Sequence, residues 1–374
     1  MNVFIKKTLV FILPLVLLII PPITILWGTG ENFRKIEPVL NADARYLIGY
    51  AYNESNYQFV KWYKLNHDPK YKVIALGSSR ILQFRNQMFD SSFYNAGFTI
   101  TGIKDFKGFI ECIPKSRYPD YLIINLDQWM FNQYYDDLKE SVSEEKWSAT
   151  FNRYPSFQIL LDIYSDLFKG KYSLGVLKKD SEVVRIGLNA ILNSKGFRND
   201  GSFYYGDQII KLLNNDPTVE DYLYRDTFEN IRKGDKNFVF GSSINQNALI
   251  ELERFLTFCQ RNHIQVIAIL PPFAEKVLEL LNSSGNFRYM DGLYDSLKPV
   301  FDKYQFELFD YTSIASCNSS DNETFDGFHG SEITYMKMLI DILSRHSILN
   351  NVTNLSRLRK ELNNPVNRYV VYEN

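Results

Sequence analysis

Short apolar runs that each stop at a small or polar residue constrain this chain most. Lys72-Val73-Ile74-Ala75-Leu76 runs into Gly77-Ser78-Ser79, Ser92-Phe93-Tyr94-Asn95-Ala96 stops at Gly97, and Tyr121 to Leu126 (YLIINL) stops at Asp127 after a Pro119-Asp120 turn. Runs this short, bounded by turn residues, read as strands buried on both faces. Helix-length segments such as Gly102 to Ile113 lie between them. The rhythm returns in the C-terminal third. Leu249, Leu252, Phe255, Leu256 and Cys259 share one helical face, Gln265 to Leu270 (QVIAIL) is a strand ended by Pro271-Pro272, and Phe306 to Phe309 is another. Ser331 to about His346 reads as a closing helix that buries Tyr335, Met338, Leu339 and Ile342. The alternation predicts an α/β fold, a parallel sheet covered by helices on both faces. From Phe131 to about Phe240 the rhythm stops in a Tyr- and Phe-rich, partly helical stretch, which is expected to be an insertion packed over the sheet rather than a second domain.

The N-terminus adds a different constraint. Thr8 to Trp27 has no charged residue over 20 positions, and a helix of that length spans about 30 Å, the hydrocarbon thickness of a bilayer. Lys6 and Lys7 precede it and Glu31 follows it, so the positive-inside bias places the N-terminus in the cytoplasm and the remainder outside. Pro14, Pro21 and Pro22 are expected to kink the helix. The expected topology is a single-pass type II signal-anchor with the C-terminal body in the periplasm or extracellular space. The alternative is a cleaved signal peptide ending near Gly28-Thr29-Gly30. The organisation that follows is a cytoplasmic tip and transmembrane anchor (1–27), a stalk and first packing helix (28–70) with helix around Ala42 to Val60, a main α/β domain (71–350) with its insertion at about 131–240, and a C-terminal tail (351–374).

Composition removes several kinds of function. Forty-two Lys and Arg against 43 Asp and Glu leave a net charge of −1, with no basic excess for a run of phosphates, so no nucleic-acid partner is expected. Cys112, Cys259 and Cys317 are too few and too scattered for a disulfide framework or a zinc site. No Asp/His ligand cluster suggests metal chemistry, and no cofactor is expected. The four histidines, His67, His263, His329 and His346, make any imidazole chemistry a four-way choice.

In doubly wound sheets ligands bind where strands end. The polar residues at those ends are Ser78 and Ser79, Asn95 and Gly97, and Asn125 and Asp127; near the C-terminus, Asp326-Gly327-Phe328-His329 puts an acid and a histidine three apart at a turn before a helix. A serine becomes a nucleophile when a base lies within hydrogen-bond reach and a carboxylate holds that base in the right tautomer. His67 lies in a charged pre-strand segment, His263 at a helix end and His346 late in an amphipathic helix, so only His329 combines a neighbouring acid with a strand-to-helix loop. Taken singly, the serines read as helix caps and Asp-Gly as a turn. Phe197-Arg198-Asn199-Asp200-Gly201-Ser202 reads as a solvated turn, with a roof over the site as its functional alternative.

Gly77-Ser78-Ser79 and Asp326-Gly327-Phe328-His329 resemble the first and last blocks of the SGNH/GDSL hydrolases. Gly-Ser-Ser-Arg behind a membrane anchor is similar to the envelope branch of that family, which includes the teichoic acid D-alanyl transfer protein and the alginate O-acetyltransferases. The resemblance covers about 71 to 130 and 236 to 346. It implies a three-layer, flavodoxin-like fold with Ser79 as nucleophile, His329 as general base and Asp326 as its orienting acid. It also implies an oxyanion hole from the Ser79 N–H, a second-block glycine (Gly97 or Gly102) and a third-block amide, for which Asn125 is a better donor than Asp127. Ser78 stands where the family usually has Asp. Arg80 is a candidate for pairing with an anionic substrate, or else with Asp127 or another acid, and Asp127 is the second candidate substrate contact. The implied activity is O-acyl transfer to, or removal from, a cell-surface polysaccharide. Transfer further implies a multi-spanning membrane acyltransferase as partner. An inactive glycan-binding or assembly scaffold is the alternative.

Overall fold

All five expected strands of the main sheet form in this computed structural model, which describes residues 2–135, 138, 144–148, 154–177 and 183–373. They are β1 (Val73–Gly77), β2 (Phe93–Gly97), β3 (Tyr121–Asn125), β4 (Gln265–Leu270) and β5 (Glu307–Asp310). Every pairing is parallel and the order is β2-β1-β3-β4-β5. Their apolar character follows from burial on both sides. Ile74 and Leu76 of β1 enter one apolar cluster with Phe106, Phe109 and Phe255, while Val73 and Ala75 enter a second with Ile333, Met338 and Leu339. Helices α1 (Ile103–Glu111), α2 (Gln246–Arg261), α3 (Glu275–Ser284) and α4 (Leu293–Lys303) contribute to the first cluster, and α5 (Glu332–Ser344) to the second. Each fully buried Leu, Ile or Phe contributes about 1.5–3 kcal/mol of transfer free energy. Successive strands step away from β1 in opposite directions, β2 to one side and β3 to the other. The loops leaving β1 and β3 therefore diverge, and in sheets of this order the carboxyl ends of these strands are where a ligand crevice forms.

The chain divides into two compact units. One comprises Met1–Asn56, Thr150–Asn199 and Tyr204–Asp207; the other comprises Tyr57–Ala149, Asp200–Phe203 and Gln208–Asn374 and holds the five-stranded sheet. The first unit draws together residues that the sequence reading assigned to a stalk and to an insertion. Its core includes part of a small mixed sheet in which Tyr46–Ile48 pairs parallel with Val184–Ile186, while Ile48 lies antiparallel to Phe197. The helix expected around Ala42 to Val60 is therefore replaced by a strand followed by a helix at Asn56–His67. Gly49 explains part of the change: a Cβ there would lie 2.0 Å from the Lys195 carbonyl oxygen, so only glycine permits this approach. The C-terminal tail carries a helix, Leu355–Leu362, whose Leu358 is buried.

The N-terminal apolar segment is helical from Asn2 to Thr29 but bent by 54° into two arms, Phe4–Pro14 and Leu18–Thr29. Pro21 and Pro22 lack the N–H groups that would bond the carbonyls of residues 17 and 18, and their rings crowd those carbonyls, which puts the bend between the arms. Among the described residues no single straight helix is long and apolar enough to cross a membrane; the bent pair together has the length and composition to do so.

Candidate active site

The chain turns sharply where β1 ends. Ser78 is extended, and its Oγ accepts from the Arg80 N–H at 3.1 Å, starting a single 3-10 turn over Ser79–Ile81. Ser79 is left half-buried at the mouth of the crevice. Its Oγ lies 2.8 Å from His329 Nε2, and His329 Nδ1 lies 2.7 Å from Asp326 Oδ2. The second carboxylate oxygen of Asp326 accepts the N–H groups of Phe328 and His329 at 2.9 and 2.7 Å, so the acid holds the loop as well as the ring. An Nδ1–H donated to Asp326 leaves Nε2 as the acceptor of the serine proton. The three side chains come from positions 79, 326 and 329, brought together by β1 and the turn before α5.

The remaining histidines are occupied elsewhere. His67 bonds the Tyr63 carbonyl through Nδ1 and stacks on the Tyr63 ring at 3.9 Å. His263 and His346 occupy left-handed positions just beyond α2 and α5, with φ of 58° and 61°.

Burial by itself raises the Asp326 carboxyl. The facing imidazole charge, its hydrogen bond and the two backbone N–H groups outweigh that, leaving Asp326 below the usual carboxylate range. A carboxyl depressed in the folded state adds stability above its unfolded value of about 3.9, and this is lost as pH falls through the lower folded value. Asp326→Asn is therefore expected to be less stable than the parent at pH 7 by about 1.5–3 kcal/mol, the usual worth of hydrogen bonds to a charged group. The difference should start to close below about pH 4 and go on closing as the pH falls toward the lower folded value. Thermal denaturation of both proteins from pH 7 to pH 3 checks this; a gap that persists unchanged in acid would contradict it.

The expected oxyanion donors are placed differently. Gly97 N–H donates to the Asn95 side-chain oxygen at 2.9 Å, and Asn95 in turn donates to the Ile81 and Phe84 carbonyls. Asn125 spends both amide hydrogens on Ser78 Oγ (3.1 Å) and Asp127 Oδ1 (2.9 Å), while its oxygen accepts the Ser78 N–H. Both residues thus brace the strand ends. Gly77 is required for the second brace, because a Cβ there would lie 1.5 Å from Asn125 Oδ1. Gly102 N–H is bonded to Asp105. Among the described residues the Ser79 N–H has no backbone acceptor.

Arg80 and Asp127, the candidate substrate contacts, pair with each other in the interior. Both side chains are fully buried and pair at 3.3 Å. Arg80 also donates to Gln128 Oε1 (2.8 Å) and to the carbonyls of Pro271 (2.9 Å), Pro272 (2.6 Å) and Phe328 (2.9 Å). Its guanidinium lies 5.0 Å from the Trp129 ring centroid and 4.4 Å from that of Phe273. Sequence reasoning missed Gln128, Trp129, Phe273 and Phe328 as supports. The signal for them was their place beside strand ends. Asp200, expected in a solvated turn, instead has its side chain only 6% exposed and pairs with Arg85 at 3.2 Å; Arg85 also reaches Glu332 at 3.0 Å. Among the described residues no group of His, Cys, Asp and Glu is arranged to hold a metal ion. Compared with protein-family models and with curated proteins, the chain shows no significant match.

Proposed function

We propose that the chain is a membrane-anchored SGNH-type serine acyltransferase or esterase that acts outside the cytoplasm on a cell-surface polysaccharide. The observation that carries this reading is the continuous hydrogen-bond path from Ser79 through His329 to Asp326 at the crevice beside β1. The β2-β1-β3-β4-β5 strand order and the helices on both faces support the three-layer flavodoxin-like form of that family. In this mechanism Ser79 Oγ attacks the acyl carbonyl while His329 Nε2 takes its proton. The Ser79 N–H donates to the oxyanion, and the imidazolium, held by Asp326, returns the proton to the leaving oxygen. A second hydroxyl, deprotonated by His329, then attacks the acyl-serine, and the bond to Ser79 Oγ breaks as the imidazolium returns the proton to that oxygen: the hydroxyl is a sugar's in transfer and water's in hydrolysis. Transfer outside the cell requires an acyl supply across the bilayer, the role of a multi-spanning partner. The bent apolar pair at the N-terminus is the anchor, with the type II orientation set by Lys6 and Lys7.

One observation favours a second reading. Gly97 and Asn125 spend their donors internally, so a glycan-binding or assembly scaffold with a vestigial triad is the competitor. The full chain in detergent, treated with a fluorophosphonate probe and with p-nitrophenyl acetate, separates them. The catalytic reading expects a covalent adduct on the Ser79 peptide and measurable turnover. An unlabelled, inactive but folded chain would favour the scaffold.

A further inference from the structure

The helix Phe157–Phe168 is capped by Ser156 and has more apolar surface than its own unit covers. Ile163 is fully buried, and Ile159, Leu160 and Leu167 pack with it against Ile25, Leu26 and Leu188. Phe157, Leu161 and Phe168 remain 74%, 46% and 88% exposed. With Tyr164 they recur every three or four residues, within about 60° of helical arc at 3.6 residues per turn. The polar residues Gln158, Asp162, Ser165 and Asp166 occupy a separate arc. That side is already satisfied: Asp166 pairs with Lys171 at 2.7 Å and accepts the Tyr52 hydroxyl at 2.8 Å, and Gln158 bonds Asp162.

The same helix touches the apolar N-terminal segment in a telling way. The Tyr164 hydroxyl donates to the Leu18 carbonyl. Four residues beyond Leu18 stands Pro22, which has no N–H to give that carbonyl its helical bond. In water a freed carbonyl is hydrated at little cost, whereas in a bilayer it needs a donor from the protein. Beside it Phe11, Leu13, Leu18 and Ile20 of the apolar arms are exposed, and so is Trp27 at the far end.

We infer that Phe157–Phe168 is a second membrane element, an interfacial helix lying on the outer leaflet beside the anchor with Phe157, Leu161 and Phe168 among the acyl chains. The inference rests on the proposed anchor, to which this helix is joined by the Tyr164–Leu18 bond and by packing on Ile25 and Leu26, so a single occupant, lipid, covers the exposed apolar residues of both. The polar arc, with the Asp166–Lys171 pair and the exposed Lys169, faces the headgroups.

The test uses the full chain in a Cys112→Ser background, reconstituted in phosphatidylcholine/phosphatidylglycerol vesicles. Leu13→Cys, Leu161→Cys and Phe168→Cys each carry an environment-sensitive fluorophore. Expected are blue-shifted emission and quenching by acyl-chain nitroxide lipids at all three sites, with protection from aqueous iodide. Lipid quenching at 13 with iodide quenching at 161 and 168 would overturn the interfacial helix and leave the anchor standing. Iodide quenching at 13 as well would remove the anchor and the inference together. Shielding of 161 and 168 from both quenchers, with cross-linking between copies, would assign the face to a second copy of the chain and overturn the inference.

Discussion

Ser79→Ala is expected to lose fluorophosphonate labelling completely and to lower kcat/KM for p-nitrophenyl acetate by about 10^4-fold or more, on the order of 5.5 kcal/mol of transition-state stabilisation. The size of the effect follows from geometry. Of the two adjacent serines, only Ser79 places its Oγ at 2.8 Å from the imidazole. Ser78 Oγ faces the other way, accepting from Arg80 N–H and from Asn125 Nδ2. Ser78→Ala removes one capping acceptor and one amide partner, which costs about 0.5–2 kcal/mol of stability, and it is expected to keep activity within about tenfold of the parent. His329→Ala should match Ser79→Ala, and the double variant should be no worse, since groups that act as one unit are not additive. Equal labelling of Ser79→Ala and the parent, or loss of labelling in Ser78→Ala alone, would refute the assignment of the nucleophile.

The parts of the fold and site that were legible in the sequence share a physical cause. Val73, Ile74, Ala75 and Leu76 are all buried because the two faces of β1 feed two clusters, and a strand in that position has to be written as an unbroken apolar run. His329 was legible because an acid three residues earlier, at a turn before a helix, is a local pattern. Tyr46–Ile48 was not: three residues show no period, and this strand exists through its pairing with Val184–Ile186, far away in sequence. The oxyanion donors were illegible for a related reason. The residue type says that Asn125 can donate; only the structure says that Ser78 and Asp127 have taken both hydrogens. For Arg80 the sequence left the partner open between an anionic substrate, Asp127 and another acid. The choice depended on carbonyls at Pro271, Pro272 and Phe328, which belong to loops 191 to 248 residues downstream.

Arg80→Met is expected to be the most destabilising single change near the site, by about 3–5 kcal/mol, because it leaves Asp127 buried without a counter-charge. At about 2–4 °C per kcal/mol for a domain of this size, the melting temperature should fall by roughly 10 °C. Burial pushes the Asp127 carboxyl up and the Arg80 guanidinium down, and each is drawn back by the other. Without Arg80 the carboxyl rises further and takes up a proton on folding. A group that binds a proton in the folded state loses stability as pH rises, so the variant should recover part of its deficit between pH 7 and pH 5. Arg80→Met combined with Asp127→Asn should recover part of it at pH 7 as well. Arg80→Lys is not expected to rescue, because an ammonium has three donors and no planar fork, while the site offers acceptors at Asp127, Gln128, Pro271, Pro272 and Phe328. The bond from Arg80 Nε to the Phe328 carbonyl ties the residue before His329 to the turn that carries Ser79. The loss of activity should therefore appear in kcat more than in KM, measured at a temperature where the variant is folded. An unchanged melting temperature, or full rescue by Lys, would mean that the joint between the two loops is made elsewhere.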